Sequence, residues 1–280
     1  MRIWMLVLLM IFLAACNSTG DSSSASEGQA KEKASEEQEE AETSESTEVQ
    51  NEEQNEETEK KEVEDETPTA REPQYIMEED WSFSPIDDAE EKVALLTIDD
   101  APDTHALDMA EKLKEKDAPA IFFVNGHFLD TPEEKEMLKQ IHDMGFSIGN
   151  HTMTHASLTD LSKEEQKQEI VKLSDLIENI TGERPDFFRA PFGQNTDYSK
   201  QLVKEEEMLL MNWTYGYDWN EEYTNADALA DIMVNTPLLR GGANLLMHDR
   251  EWTNNALDDI IDGLRKKEYM LLDPKIIQHP

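Results

Sequence analysis

The sequence predicts an α/β domain in which parallel strands and helices alternate around a barrel, preceded by a disordered acidic linker. Two observations carry this expectation. From residue 93 to residue 272, short apolar runs alternate with longer amphipathic ones, and so many strand–helix units in one domain favour a barrel over an open sheet. The polar clusters Asp99-Asp100, His151, Arg189, Asp218 and His248 each follow a strand-like run, and barrel chemistry sits on the loops leaving the carboxyl ends of strands.

Taken in order, residues 93–98 (Val-Ala-Leu-Leu-Thr-Ile) form a strand that stops at Asp99-Asp100-Ala101-Pro102. Residues 104–116 read as a helix with Leu107, Ala110 and Leu113 on one face and Thr104 as its cap. Residues 120–124 (Ala-Ile-Phe-Phe-Val) are the next strand, 132–144 a helix closed by Gly145, and 146–149 a third strand. A long amphipathic helix over 162–180 stops at Gly182, before a strand near Phe187-Phe188. Further strands fall at 208–213, 244–247 and 269–272, with helices at 226–239 and 254–267. The sequence has no internal repeat.

The amino-terminal part differs in kind. After Met1-Arg2 comes an apolar stretch shorter than the roughly 20 residues that span a bilayer, and residues 13–16 read Leu-Ala-Ala-Cys before the chain turns polar. This predicts a lipoprotein signal peptide over 1–15 and lipidation of Cys16, the chain's only cysteine; an ordinary signal peptide cut nearby is the alternative. The linker is assigned to residues 16–80, and residues 17–80 hold 23 acidic and 5 basic side chains with almost no aromatic or branched apolar ones, too little apolar surface to offset the entropy of ordering. A flexible coil of that length spans about 45 Å. The implied location is the outer face of a bacterial membrane, anchored by lipid and reaching into the wall.

Residues 81–280 form the remaining domain, with 40 acidic and 19 basic side chains. Nucleic acid is excluded as a partner on that balance, because its binding relies on Lys and Arg neutralising phosphates; a neutral glycan is tolerated, and no protein partner is predicted.

Residues 151–155 read His-Thr-Met-Thr-His. Histidines four apart lie on one face of a helical turn, where two imidazoles reach one ion. The carboxylate pair at another strand end supplies a third ligand and leaves a position open. Of Asp99 and Asp100, one can bind a metal while the other takes a proton from water. Each element is bland alone: HxxxH is as readily a surface pair, Asp-Asp-Ala-Pro a solvated turn, Arg189 a surface charge and His248 a satisfied histidine.

In their order, these residues resemble the polysaccharide deacetylases of carbohydrate esterase family four, with the NodB-homology fold. Residues 97–101 (Thr-Ile-Asp-Asp-Ala) look like T-F-D-D-G, 151–155 match H-[ST]-x-x-H, 189–193 (Arg-Ala-Pro-Phe-Gly) match R-x-P-[YF]-G, Asp218-Trp219 match D-W, and 246–248 (Leu-Met-His) match L-x-H. The resemblance covers about residues 90–273 and implies a distorted (β/α) barrel. It implies one divalent ion, zinc first with cobalt, manganese or nickel as alternatives, held by Asp100, His151 and His155. Asp99 would be the base, paired with Arg189; His248 would be the acid, held by Asp218; the Phe192 backbone N–H would face the oxyanion. The reaction would be metal-assisted hydrolysis of N-acetyl groups on N-acetylglucosamine in peptidoglycan or a chitin-like glycan. A non-catalytic glycan-binding wall lipoprotein and an O-acetyl esterase of the same family are the alternatives.

Trp219 and Tyr217 are the candidate sugar contacts among the aromatics near this face, which also include Trp213, Tyr223 and Trp252. His105, His127, His142 and His279 fall outside the motifs and are read as structural or exposed. Ala101 stands where the family has glycine, so a positive φ there would cost about 1 kcal/mol. Tyr215 stands where many relatives carry a second aspartate.

Overall fold

In the computed structural model, which describes residues 72–280, the apolar run at residue 93 becomes the longest strand, β3 (Val93–Ala101). Its side chains alternate: Ala94, Leu96 and Ile98 pack with the helices, while Val93 and Leu95 face the opposite core. Burial on both faces is what a central parallel strand requires. Thr97 and Asp99 continue the inward row, and both are buried. The signal peptide, Cys16 and the linker up to residue 71 lie outside the described residues.

Around β3 the elements follow as α1 (Ala106–Glu115), β4 (Ala120–Val124), α2 (Pro132–Asp143), β5 (Ser147–Asn150), α3 (Lys163–Thr181), β6 (Phe187–Phe188), α4 (Asp197–Glu205), β7 (Leu209–Leu210), β8 (Tyr215–Gly216), α5 (Ala226–Asn235), β9 (Ala243–His248), α6 (Glu251–Lys266) and β10 (Met270–Leu271). The strand order is β7-β6-β5-β4-β3-β9-β8, all in parallel pairs, with β10 added beside the start of β3. The edge strands β7 and β8 are joined by residues 211–214 alone, a reach of at most about 18 Å. The sheet must therefore curl until its edges approach; the connecting segment is tied to β9 by Thr214 N–H donating to Asn244 O at 2.9 Å and by Asn244 Nδ2 donating to Asn212 O at 3.0 Å. This is the expected distorted barrel, open at one seam.

The helices form where the sequence places hydrophobic stripes and caps. α2 and α3 begin with reciprocal capping boxes, Thr131 with Glu134 and Ser162 with Glu165, each satisfying two otherwise orphaned N–H groups. α3 ends at Gly182 with φ 86°, a left-handed cap that glycine adopts without strain. α6 buries Leu257, Ile260, Ile261 and Leu264 at helical spacing.

Two short strands were not expected. β1 (Tyr75–Met77) and β2 (Phe83–Pro85) form an antiparallel hairpin that begins inside the stretch assigned by composition to the linker. Its acidic residues Glu78, Glu79 and Asp80 are exposed at the turn, whereas Tyr75 and Phe83 are buried. The hairpin seals the barrel end opposite the strands' carboxyl ends: Tyr75 and Phe83 pack with Leu95, Ile121, Leu272 and Ile277, and Phe83 N–H donates to Gly242 O at 2.8 Å. Gly242, with φ 75°, has no room for a Cβ against the Phe83 carbonyl.

Candidate active site

The inward row of β3 ends on Asp99, 2 % exposed. Its Oδ1 accepts from Arg189 Nη1 at 2.6 Å. Arg189 leaves β6 and is fully buried; it also donates to Thr97 Oγ1 at 2.8 Å and to Asn212 O at 2.9 Å, while the Phe123 ring lies 4.2 Å from its guanidinium carbon. Burial pulls the guanidinium below its ordinary range and Asp99 pulls it back. A buried carboxylate without such a partner would be strongly unfavourable, so the pair explains how Asp99 sits under the cleft floor.

His151 and His155 do not sit on a helix, contrary to the spacing argument. Residues 151–157 are irregular, with Thr152 and His155 at φ 73° and 59°. The loop is shaped by side chains: Asn150 Oδ1 accepts from Thr152 N–H at 2.9 Å, Asn125 Nδ2 donates to His151 O at 2.6 Å, and Glu169 accepts from Thr154 N–H and Oγ1 at 2.8 Å each. The two imidazoles still converge, with ring centroids 5.0 Å apart. His151 Nδ1 lies 2.7 Å from Arg189 O; a carbonyl only accepts, so Nδ1 carries a proton and Nε2 is the nitrogen turned toward the cleft to serve as a ligand.

Asp100 follows at the end of β3. The positive φ of this turn, 60°, falls on Asp100 and not on Ala101; aspartate tolerates that conformation, and the small Ala101 side chain is wholly buried in the core. Replacement of the family's glycine by Ala101 therefore carries no left-handed strain. Asp100 Oδ1 lies 3.6 Å from His155 Nε2 and 4.0 Å from His151 Nε2. Asp100, His151 and His155 each offer one ligand atom, all within 4.8 Å of one another. Two imidazole nitrogens and one carboxylate are the donor set of an open catalytic metal site. Burial, then the neighbouring His151, hold His155 below its ordinary value, which favours the neutral, ligating form.

Opposite the triad, His248 ends β9 and Asp218 follows β8, the neighbouring strand. His248 Nδ1 lies 2.8 Å from Asp218 Oδ1, and Asp218 Oδ2 accepts from His248 N–H at 2.6 Å and Thr253 Oγ1 at 2.9 Å. Burial pushes the His248 imidazole down, but the hydrogen bond and charge of Asp218, together with the charges of Asp99 and Asp100, push it up by more, so its value is raised above 6.5. With Nδ1 committed to Asp218, Nε2 is the nitrogen free to exchange a proton.

Asp99, Asp100, His151, His155 and His248 line one cleft of about 420 Å³, with Phe192, Trp213 and Trp219 forming apolar walls and with Arg189 and Asp218 buried behind it. Phe192 and Trp219 are 62 % and 50 % exposed, suited to covering a ligand face. Tyr217 does not join them: its hydroxyl is bonded to Thr236 at 2.7 Å and its ring packs against Tyr215 and Tyr223. Trp252 likewise turns inward, donating from Nε1 to Asp218 O. Two site residues escaped the sequence reading, Asp249 and Arg250. Asp249 accepts from the N–H groups of Asp103, His105 and Ala106 at 2.7, 2.7 and 2.9 Å and so caps α1 from a distance, a role Thr104 does not take. Arg250 lines the cleft and donates to Asp100 Oδ2 at 3.0 Å. Their position directly after His248 was the available signal.

Comparison with known proteins agrees with this geometry. Residues 86–211 match the polysaccharide deacetylase family, and a peptidoglycan-N-acetylglucosamine deacetylase of Bacillus cereus is 30 % identical over 64 % of this chain and 68 % of its own length. The chain belongs to the polysaccharide deacetylase family. The peptidoglycan-N-acetylmuramic acid deacetylase PdaC of Bacillus subtilis is 32 % identical over 66 % of this deacetylase-family chain, and that match spans 38 % of PdaC. A second Bacillus cereus relative is matched over 63 % of its length, so the chain spans less than two thirds of those two relatives. Among solved structures, a CE4-family pseudoenzyme of Bacillus anthracis superimposes with a TM-score of 0.61 at 28 % identity, covering 68 % of this chain and 67 % of that one.

Proposed function

We propose that this chain is a metal-dependent deacetylase that hydrolyses N-acetyl groups on N-acetylglucosamine of cell-wall polysaccharide, peptidoglycan first. The observation that carries the reading is the complete pairing at one cleft: Asp99 held by Arg189, His248 on the neighbouring strand held by Asp218, and Asp100, His151 and His155 converging beside Asp99. A pure binder needs neither base nor acid.

Asp100, His151 and His155 would hold one divalent ion, zinc in first place. When bound, such an ion supplies Lewis-acid polarisation of a carbonyl and lowers the pKa of water. The chain's own groups do the rest. Asp99, fixed by Arg189, accepts the proton of the attacking water; the Phe192 backbone N–H faces the developing oxyanion; His248 donates its Nε2 proton to the departing amine. Acetate and a free amino sugar result. Phe192 and Trp219 flank the sugar. Location at the outer membrane face rests on the leader sequence and Cys16.

The test is acetate release from peptidoglycan, chitooligosaccharides and O-acetylated sugars. Release from the N-acetylated glycans, lost with chelator and restored by zinc, is the expected result; no release from any of them by metal-replete protein would sink the reading, and release from O-acetyl sugars alone would make it an esterase. The solved pseudoenzyme relative favours a second reading, a non-catalytic glycan binder, which predicts glycan retention with no acetate.

The acid assignment predicts a limb in the pH profile. Because His248 is raised above 6.5, its donating form persists to higher pH than an ordinary imidazolium and is lost as pH climbs through the raised value, so the rate falls on the alkaline side. Asp218→Asn, which weakens the upward push, should move that limb to lower pH. An unmoved limb in Asp218→Asn, and an unchanged one in His248→Ala, would remove His248 from the role.

A further inference from the structure

The turn between β9 and α6 meets the loop after β3 at three consecutive residues. His248 enters the cleft; Asp249 N–H donates to Asp99 O at 3.0 Å while its carboxylate gathers three N–H groups of the same loop; Arg250 reaches the Asp100 carboxylate. That carboxylate is divided between two duties. Its Oδ1 is the atom nearest the two histidines, at 3.6 and 4.0 Å from their Nε2 atoms. Its Oδ2 accepts from Arg250 Nη2 at 3.0 Å.

We propose that Arg250 is a positioning residue for the metal site, holding Asp100 as a ligand through one oxygen and keeping Oδ1 turned toward His151 and His155. The inference rests on reading Asp100, His151 and His155 as the metal ligands. The physical need is specific. Asp100 sits on a left-handed backbone position at the lip of the cleft, its side chain 14 % exposed, so packing alone does not fix the carboxylate plane. A carboxylate free to rotate offers an ion either oxygen and loses that freedom on binding; one already clamped has lost it beforehand. The positive charge of Arg250 works against a cation, but its side chain is 39 % exposed, which screens that repulsion, and the carboxylate oxygen it holds stands on the far side from the histidines. Orientation therefore outweighs charge. Partners that hold a metal-ligating group are worth roughly 10–100-fold in metal affinity.

The experiment measures zinc affinity of the metal-stripped full chain by competition with a chromophoric chelator, with thermal unfolding of each protein as a check on folding. Arg250→Ala is expected to bind zinc roughly 10–100-fold more weakly with its melting transition retained, and Arg250→Lys, which keeps a cationic donor, to recover part of the loss. Affinity in Arg250→Ala equal to or above that of the parent, or an Arg250→Lys protein no better than Arg250→Ala, overturns the proposal. His155→Ala separates the two levels of argument. If the parent binds zinc no better than His155→Ala, the assignment of the ligands fails and takes this proposal with it; if only the Arg250 variants match the parent, the ligands stand and the positioning role alone falls.

Discussion

Asp99→Asn is expected to lower acetate release by roughly a thousandfold while glycan binding persists. General base catalysis by a positioned carboxylate contributes on the order of 10²–10⁴ in rate, and the amide cannot accept a proton at neutral pH. The substitution is close to isosteric and leaves an oxygen that still accepts from Arg189 Nη1, now at 2.6 Å from Asp99 Oδ1, so the cleft keeps its shape. Zinc affinity should change little, since Asp99 is not among the three converging ligand groups. The measurement pairs single-turnover acetate release with glycan co-sedimentation. A variant that keeps a tenth or more of the parent rate would show that another group takes the proton, and one that loses glycan together with activity would show that Asp99 serves binding.

Arg189→Met should cost about 3–5 kcal/mol of folding stability, the usual loss when one member of a buried ion pair is removed. Against the 5–15 kcal/mol that holds a typical domain together, this is a large share. Methionine fills much of the same volume against Phe123, so the loss is not a cavity effect. It comes from Asp99, only 2 % exposed, left charged without its partner, and from the Asn212 carbonyl left without Nη2. Urea unfolding of the single variants and of Asp99→Asn/Arg189→Met reads this directly: the double variant should be less destabilised than the sum of the two singles, because removing both partners leaves no uncompensated charge. Additive costs would mean that the ion pair is not what the fold depends on.

Much of this architecture was legible because long apolar runs with turn signals on both sides leave few alternatives: β3, β4 and β9, and the capped helices α2 and α3, fall where the pattern puts them. What escaped was decided by distant partners. The hairpin of Tyr75 and Phe83 is made by contacts with Ile277 and Gly242, almost the whole described chain away, and its acidic turn masked it. The strand expected over 208–213 covers β7 and stops short of β8, because only their pairing, one with β6 and the other with β9, makes them two strands at opposite edges. α4 buries only Ser199, Leu202 and Val203, too narrow a stripe to stand out. The His-x-x-x-His spacing pointed to a helix, yet Asn125, Asn150 and Glu169 fold that segment into a loop that brings the same two rings together. The cap of α1 comes from Asp249, more than 140 positions away in sequence, where local capping rules have nothing to read. The pairs of Asp99 with Arg189 and of His248 with Asp218 were legible as a set of motifs; their distances were not, because they depend on which strands stand side by side.

The seam between β7 and β8 has a bearing on how such a cleft can change over time. Elsewhere around the barrel, ladder hydrogen bonds fix the circumference strand by strand. At the seam it is set by residues 211–214, with Arg189 Nη2 and Asn244 Nδ2 both donating to Asn212 O. Insertions or deletions beside Trp213 would leave every ladder register intact, and the convergence of Asp100, His151 and His155 with it, while changing the separation between the Trp213 and Phe192 walls. The gap in the barrel is thus a place where the width of the cleft can drift under selection, provided Asn212 stays in place to anchor Arg189.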